Sequence, residues 1–192
     1  MKIEIADNLF SEKEGLFLIK EYCEDGNLGN REIFINEILP ESSLALILKR
    51  AKPHFDDYKK TIPINKDLFY DKVIAIKNAN KDGEPHPMHY DEAVSLYPFD
   101  LGISAFVSLI YLSDNFSGGQ LYFPFQNKIV EPKIGRMVTF PSGPIYPHKV
   151  LPFYGENRYL LRIFHLFYSG LEVKDRNNLL KRLNIEQEKE EL

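Results

Sequence analysis

The chain changes texture twice. Up to about residue 69 its apolar residues recur at helical intervals. From Tyr70 to Tyr168 they fall in short runs rich in β-branched and aromatic residues, divided by Gly, Pro, Asn and Asp, and beyond about residue 172 helical spacing returns. Ser11 with Glu14 three residues on forms a capping box and predicts a helix whose apolar positions include Leu16, Phe17, Ile19 and Cys23. Leu44, Ile47, Leu48 and Ala51 predict a second helix from about Glu41 to Tyr58, with Pro53 expected to kink or end it. Strands are predicted at 73–79, 87–93, 103–113, 119–124, 127–132, 136–142, 145–151 and 158–168. Eight strands at this spacing imply a mainly β fold with flanking helices, a jelly-roll barrel supported by N-terminal helices. The expected organisation is one domain over 1–192. It comprises helical support at about 1–69, the barrel at about 70–168, and a helix at about 172–192 in which Leu179, Leu180 and Leu183 precede a charged tail.

Composition narrows the classes. A chain of 192 residues can bury a sizeable core, and 44% hydrophobic with 27% charged residues is ordinary for a globular domain. The net charge of -4 offers no general basic surface, so no nucleic-acid partner is expected. No membrane partner is expected either. The first residues lack a signal-peptide pattern and no apolar run reaches membrane-spanning length. Cys23 stands alone, which excludes an internal disulfide framework or thiolate zinc cluster and makes a reducing, cytoplasmic setting the expectation.

His89 and Asp91 are two apart in a predicted strand, so their side chains share a face and both can enter one barrel. A third ligand is needed. Of the other histidines, His54 is expected solvated at a helix end, and His86 sits at an odd offset from His89 in the Pro-flanked EPHPMH, which reads as an exposed loop. His165 lies seven residues after Arg158, on the opposite face of the same predicted strand. His148 remains, in IYPHKVLPFYGENRYLLRIF.

This last segment resembles the closing half of the prolyl 4-hydroxylase-like branch of the iron(II)/2-oxoglutarate-dependent oxygenase superfamily. His148 is followed by Pro152, Gly155 and, ten residues on, Arg158. SLIYLSDNFSGGQLYFP (108–124) and PKIGRMVTFPS also resemble family segments, and the likeness extends from about Val73 to Tyr168. It implies a double-stranded β-helix with His89, Asp91 and His148 holding Fe(II), and with the open coordination face taking 2-oxoglutarate and O2. Related halogenases lack the carboxylate that Asp91 supplies, so the implied reaction is hydroxylation, with succinate and CO2 as co-products and room for ascorbate as accessory reductant. Arg158 is implied to grip the far carboxylate of 2-oxoglutarate through paired hydrogen bonds. Tyr111 stands where family members often offer a phenol to the same carboxylate, although an aromatic-rich barrel would equally use it as core.

Parity also puts Leu160, Arg162 and Phe164 on the face of Arg158. Buried arginine needs an anionic partner, so Arg162 is expected to contact the metal-side carboxylate of 2-oxoglutarate, a neighbouring acid or substrate. The nearest likeness implies a prolyl residue in a peptide or protein as substrate, with a free amino acid or other small metabolite as the alternative. DEAVSLYPFDLG (91–102) is placed at the substrate rim. Two departures from the family stand out: KNANKDG (77–83) where many relatives carry a tyrosine, and Phe164 where they carry a tryptophan. A non-catalytic metal-binding jelly roll and a zinc hydrolase are the readings from other classes. The second gives no reason for an arginine aimed at a dicarboxylate.

Overall fold

The computed structural model describes residues 2–23, 32–35, 41–62, 69–79, 86–91, 93–96 and 99–167. Its elements in chain order are β1 (Glu4–Ala6), α1 (Glu12–Cys23), β2 (Glu32–Ile35), α2 (Ser43–Lys59), β3 (Phe69–Ala79), β4 (Ala93–Leu96), β5 (Phe99–Tyr111) and β6 (Phe116–Gly118). They continue with β7 (Leu121–Phe123), β8 (Lys128–Val130), β9 (Met137–Pro141), β10 (Lys149–Val150), β11 (Phe153–Gly155) and β12 (Arg158–Phe167). Seven strands form the main sheet in the order β1-β9-β5-β12-β3-β2, with β4 folded back on β5. A three-stranded sheet, β10-β7-β8, and the pair β11-β6 make up the rest. The expectation of a mainly β, double-stranded β-helix architecture with helical support holds, with more and shorter strands than eight.

Alternation in the long central strands builds two cores. Val107, Leu109 and Tyr111 of β5, Val138 and Phe140 of β9, and Leu160 and Phe164 of β12 pack with Leu121, Phe123, Val130 and Val150 of the small sheet. Their sequence neighbours Ile110, Met137, Leu161 and Ile163 point the other way and pack on α1 and α2. A one-residue slip of β12 would exchange the two sets, so burial on both faces fixes its register. That register sets Arg158 opposite Ala79, and Arg162 between Ala75 and Leu109.

The helices depart from expectation in three respects. In α1 the buried line is Gly15 and Leu18, with Ile19 and Tyr22 partly buried, whereas Leu16 and Phe17 are exposed. The helical period selects i, i+3, i+4 and i+7, not each apolar residue in a run. Pro53 does not end α2, which continues to Lys59 and buries Phe55 and Tyr58 beyond it. His54 therefore sits exposed inside the helix and not at its end. The side chain of Cys23 and the C-terminal segment from 172 lie outside the described residues.

The capping box forms as predicted, with the Ser11 backbone N–H and hydroxyl donating to Glu14 at 2.8 and 2.9 Å. Arg50 of α2 reaches the same carboxylate at 2.8 Å, and these donors hold Glu14 down to about 2. A depressed carboxyl stabilises the fold above its unfolded value and loses that contribution as pH falls through the folded one. Glu14→Gln is therefore expected to flatten acid unfolding below about pH 4.5. The pair is half-exposed, so the neutral-pH cost should be only about 0.5 kcal/mol.

The Gly-Gly element has a steric cause. Gly118 adopts φ +80°, and a Cβ there would lie 2.2 Å from the Pro152 carbonyl oxygen, while Gly119 donates its N–H to that oxygen at 3.0 Å. Gly118→Ala is expected to cost at least about 2 kcal/mol, read as a fall of several degrees in Tm.

Candidate metal and dicarboxylate site

Segment 86–91 is laced by its backbone to the stretch leading into β10. His89 N–H donates to His148 O at 3.0 Å, His148 N–H returns to His89 O at 2.8 Å, Val150 N–H donates to His86 O at 3.3 Å, and Gly143 N–H to Asp91 O at 3.1 Å. This is a single bridge and not the strands predicted at 87–93 and 145–151, which survive only as β4 from Ala93 and β10 from Lys149. Pro87 has no N–H to continue a ladder. The two-residue offset of His89 and Asp91 nevertheless keeps them together.

His89, Asp91 and His148 each present a ligand atom within 4.8 Å of the others. His148 Nε2 lies 3.5 Å from Asp91 Oδ2, and His89 Nε2 lies 4.0 Å from Asp91 Oδ1. Each imidazole has its Nδ1 against the carbonyl two residues earlier, His89 on Pro87 O at 2.9 Å and His148 on Tyr146 O at 3.1 Å. The Tyr146 carbonyl accepts from His148 Nδ1–H, which leaves the Nε2 lone pair of His148 facing the carboxylate and open to a metal, while His89 Nδ1 is shared between Pro87 O and His86 Nδ1 at 3.0 Å. Burial between Phe123 and Phe140 holds His148 well below the usual histidine range, against the pull of Asp91, so it is neutral at physiological pH. Two imidazoles and one carboxylate suit a divalent ion such as iron(II).

The same pocket is lined by Arg158, Arg162, His86 and the apolar Leu109, Leu121, Val150 and Leu160. Arg158 is 2% exposed, and its Nε and Nη2 have no hydrogen-bond partner among the described residues. The hydroxyl of fully buried Tyr111 is likewise unpartnered, and its ring lies 5.3 Å from the Arg158 guanidinium. Buried donors left unsatisfied on a cation are costly unless an anion completes them. A carboxylate reaching past the metal ligands would do so, and 2-oxoglutarate carries one at each end. Arg162 faces the pocket as parity requires, its Nη1 at 3.6 Å from Asp91 Oδ1 and its guanidinium over Phe164 at 4.4 Å.

His165 turns away, also as parity requires. It is fully buried on the helical side, stacked on Phe106 at 3.9 Å, with Nε2 at 3.0 Å from Ser108 Oγ. His86 lies in a loop, as expected at the barrel mouth, but is only partly exposed. It lines the pocket, its Nδ1 3.0 Å from that of His89 and the two rings 4.2 Å apart. The offset argument presumed a regular strand, and the chain is not one here. The proposed rim segment forms the β4–β5 hairpin where it is described, with Ala93 opposite Ile103 and Leu96 opposite Phe99.

Residues 74–165 match the sequence profile of the 2OG-Fe(II) oxygenase superfamily. Prolyl 3-hydroxylase 3 of Mus musculus is 32% identical over 114 residues, covering 50% of the chain and 15% of that protein. The Homo sapiens counterpart is 35% identical over 95 residues, covering 42% and 13%. The chain thus spans a small part of both. Among solved structures, the viral collagen prolyl hydroxylase of Paramecium Bursaria Chlorella virus-1, in its 2OG complex, superposes with TM-score 0.70 at 16% identity, covering 88% of this chain and 97% of that one. A Pseudomonas putida prolyl-4-hydroxylase gives 0.62 at 20% identity over 87% and 93%. A Trichoplax adhaerens prolyl hydroxylase, solved with a hypoxia inducible factor peptide, gives 0.62 at 19% over 86% and 83%. At such identities these likenesses concern the fold.

Proposed function

We propose that the chain, whose residues 74–165 match the profile of the 2OG-Fe(II) oxygenase superfamily, is a member of it and hydroxylates an unactivated C–H bond of a prolyl residue in a peptide or protein. The observation that carries the reading is one pocket with two unlike halves. At one end stand the metal-competent His89, Asp91 and His148, at the other the buried, unsatisfied donors of Arg158 and Tyr111. When bound, iron(II), 2-oxoglutarate and O2 supply the oxidation, one oxygen atom passing to the 2-oxo acid as it loses CO2 to give succinate and the other to the C–H bond. The protein binds and orients. Arg158, with Tyr111 beside it, takes the far carboxylate. Tyr146 O keeps the His148 imidazole in its ligating tautomer. Leu109, Leu121, Val150 and Leu160 line the space between and exclude water.

Support for a prolyl substrate comes from relatives named as prolyl hydroxylases, and for a peptide from the Trichoplax protein, which was solved with one. The test is succinate formation with iron(II), followed by mass spectrometry of a proline-containing peptide library for a gain of one oxygen, with hydrolysis to separate 3- from 4-hydroxyproline. Iron-dependent succinate and an oxidised prolyl peptide are expected. Oxidation of a free amino acid with every peptide untouched would replace the substrate; failure to bind iron or 2-oxoglutarate would sink the enzyme.

A further inference from the structure

We propose that Arg162, anchored by Asp91 on the ligand side of the pocket, is a second cationic contact for 2-oxoglutarate and takes the carboxylate nearest the metal ligands. The inference rests on the hydroxylase reading above. Arg158 and Arg162 project from one face of β12 four residues apart, about 13 Å along a strand. That separation assigns them to different ends of a small dicarboxylate. Arg158 stands at the end where Tyr111 is, whereas Arg162 Nη1 is 3.6 Å from Asp91 Oδ1. Phe164 beneath the guanidinium, at 4.4 Å, fixes its plane.

Charge supplies the second half of the argument. Asp91 is the only acidic residue among the described residues lining the pocket, which two arginines also line. A divalent metal at the same carboxylate would compete with Arg162 for its negative charge. The second carboxylate of 2-oxoglutarate relieves this, and a planar guanidinium already oriented on the ligand side can accept it without rearrangement. In the protein without metal, Asp91 holds Arg162 in place. With metal and co-substrate, the incoming carboxylate takes a share of the same cation.

The test is calorimetric titration of the folded, Mn(II)-loaded protein, which needs no turnover. The probes are 2-oxoglutarate, 2-oxopentanoate, which lacks the far carboxylate, and levulinate, which lacks the metal-side one. Arg162→Gln is expected to weaken 2-oxoglutarate and 2-oxopentanoate alike, by about tenfold or more, and to leave levulinate unchanged. Arg158→Gln should show the reverse selectivity. Mn(II) alone should bind Arg162→Gln at least as tightly as wild type, because a neighbouring positive charge is gone. If Arg162→Gln does not fold, Arg162→Lys, which keeps the charge but loses the paired geometry, should show the same selectivity at a smaller factor. An unchanged affinity for 2-oxoglutarate overturns the inference, as does an equal loss for levulinate or for Mn(II) alone, which would reduce Arg162 to a support for Asp91. Wild-type protein that takes up no 2-oxoglutarate at all overturns instead the hydroxylase reading on which the inference stands.

Discussion

Replacing Asp91 by alanine is expected to reduce iron-dependent succinate formation by roughly a thousandfold or more, to the level of protein without metal. The residue is 9% exposed and contributes the negative charge of the ligand set, whose other two members are imidazoles. The Asp91–Arg162 ion pair would also be lost, so the alanine variant should be less stable. Asp91→Asn separates the effects, since it retains volume and a hydrogen-bond acceptor while losing the charge. Succinate release and thermal denaturation, measured on both variants, should show turnover lost in each and stability lost mainly in the alanine. Iron-dependent turnover at more than a few per cent of wild type in either variant would remove Asp91 from the ligand set.

The second large effect has opposite signs in two assays. Arg158→Met should raise the KM for 2-oxoglutarate by about a hundredfold, through loss of paired charge-assisted hydrogen bonds in a site closed to water. The same change should stabilise the protein without co-substrate by about 1–3 kcal/mol, because Nε and Nη2 of a residue 2% exposed have no partner among the described residues and methionine fills similar space with none to satisfy. For a chain of this length that is a rise in Tm of several degrees. Adding 2-oxoglutarate should raise the Tm of the wild type and not of the variant, since ligand stabilises only a state that binds it. A variant less stable than wild type would mean that Arg158 has a structural partner after all.

Much of this was legible from alternation alone, and the reason is the length of β12. A ten-residue strand with buried residues on both faces leaves no freedom of register, so the opposed directions of Arg158 and His165, and the entry of Arg162, follow from odd and even offsets. The same arithmetic failed at His86, where the chain is tied by isolated hydrogen bonds and a proline interrupts the ladder, so side chains three apart can turn to the same side. In α1 the error was of period. Leu16 and Phe17 extend an apolar run, but Leu18, with Ile19 partly buried beside it, lies on the line that meets the sheet. The pairing of Arg162 with Asp91 could not be read from spacing, because 71 positions separate them and only the laced segments around His148 bring them together.

The reciprocal hydrogen bonds between His89 and His148 have a mechanical consequence. Two of the three candidate ligands are also each other's cross-strand neighbours, so the bonds that set the spacing of the ligand atoms are the ones that close segment 86–91 against the approach to β10. An ion held by both imidazoles is then a clasp across that seam. Opening the seam would then require the ion to lose at least one imidazole.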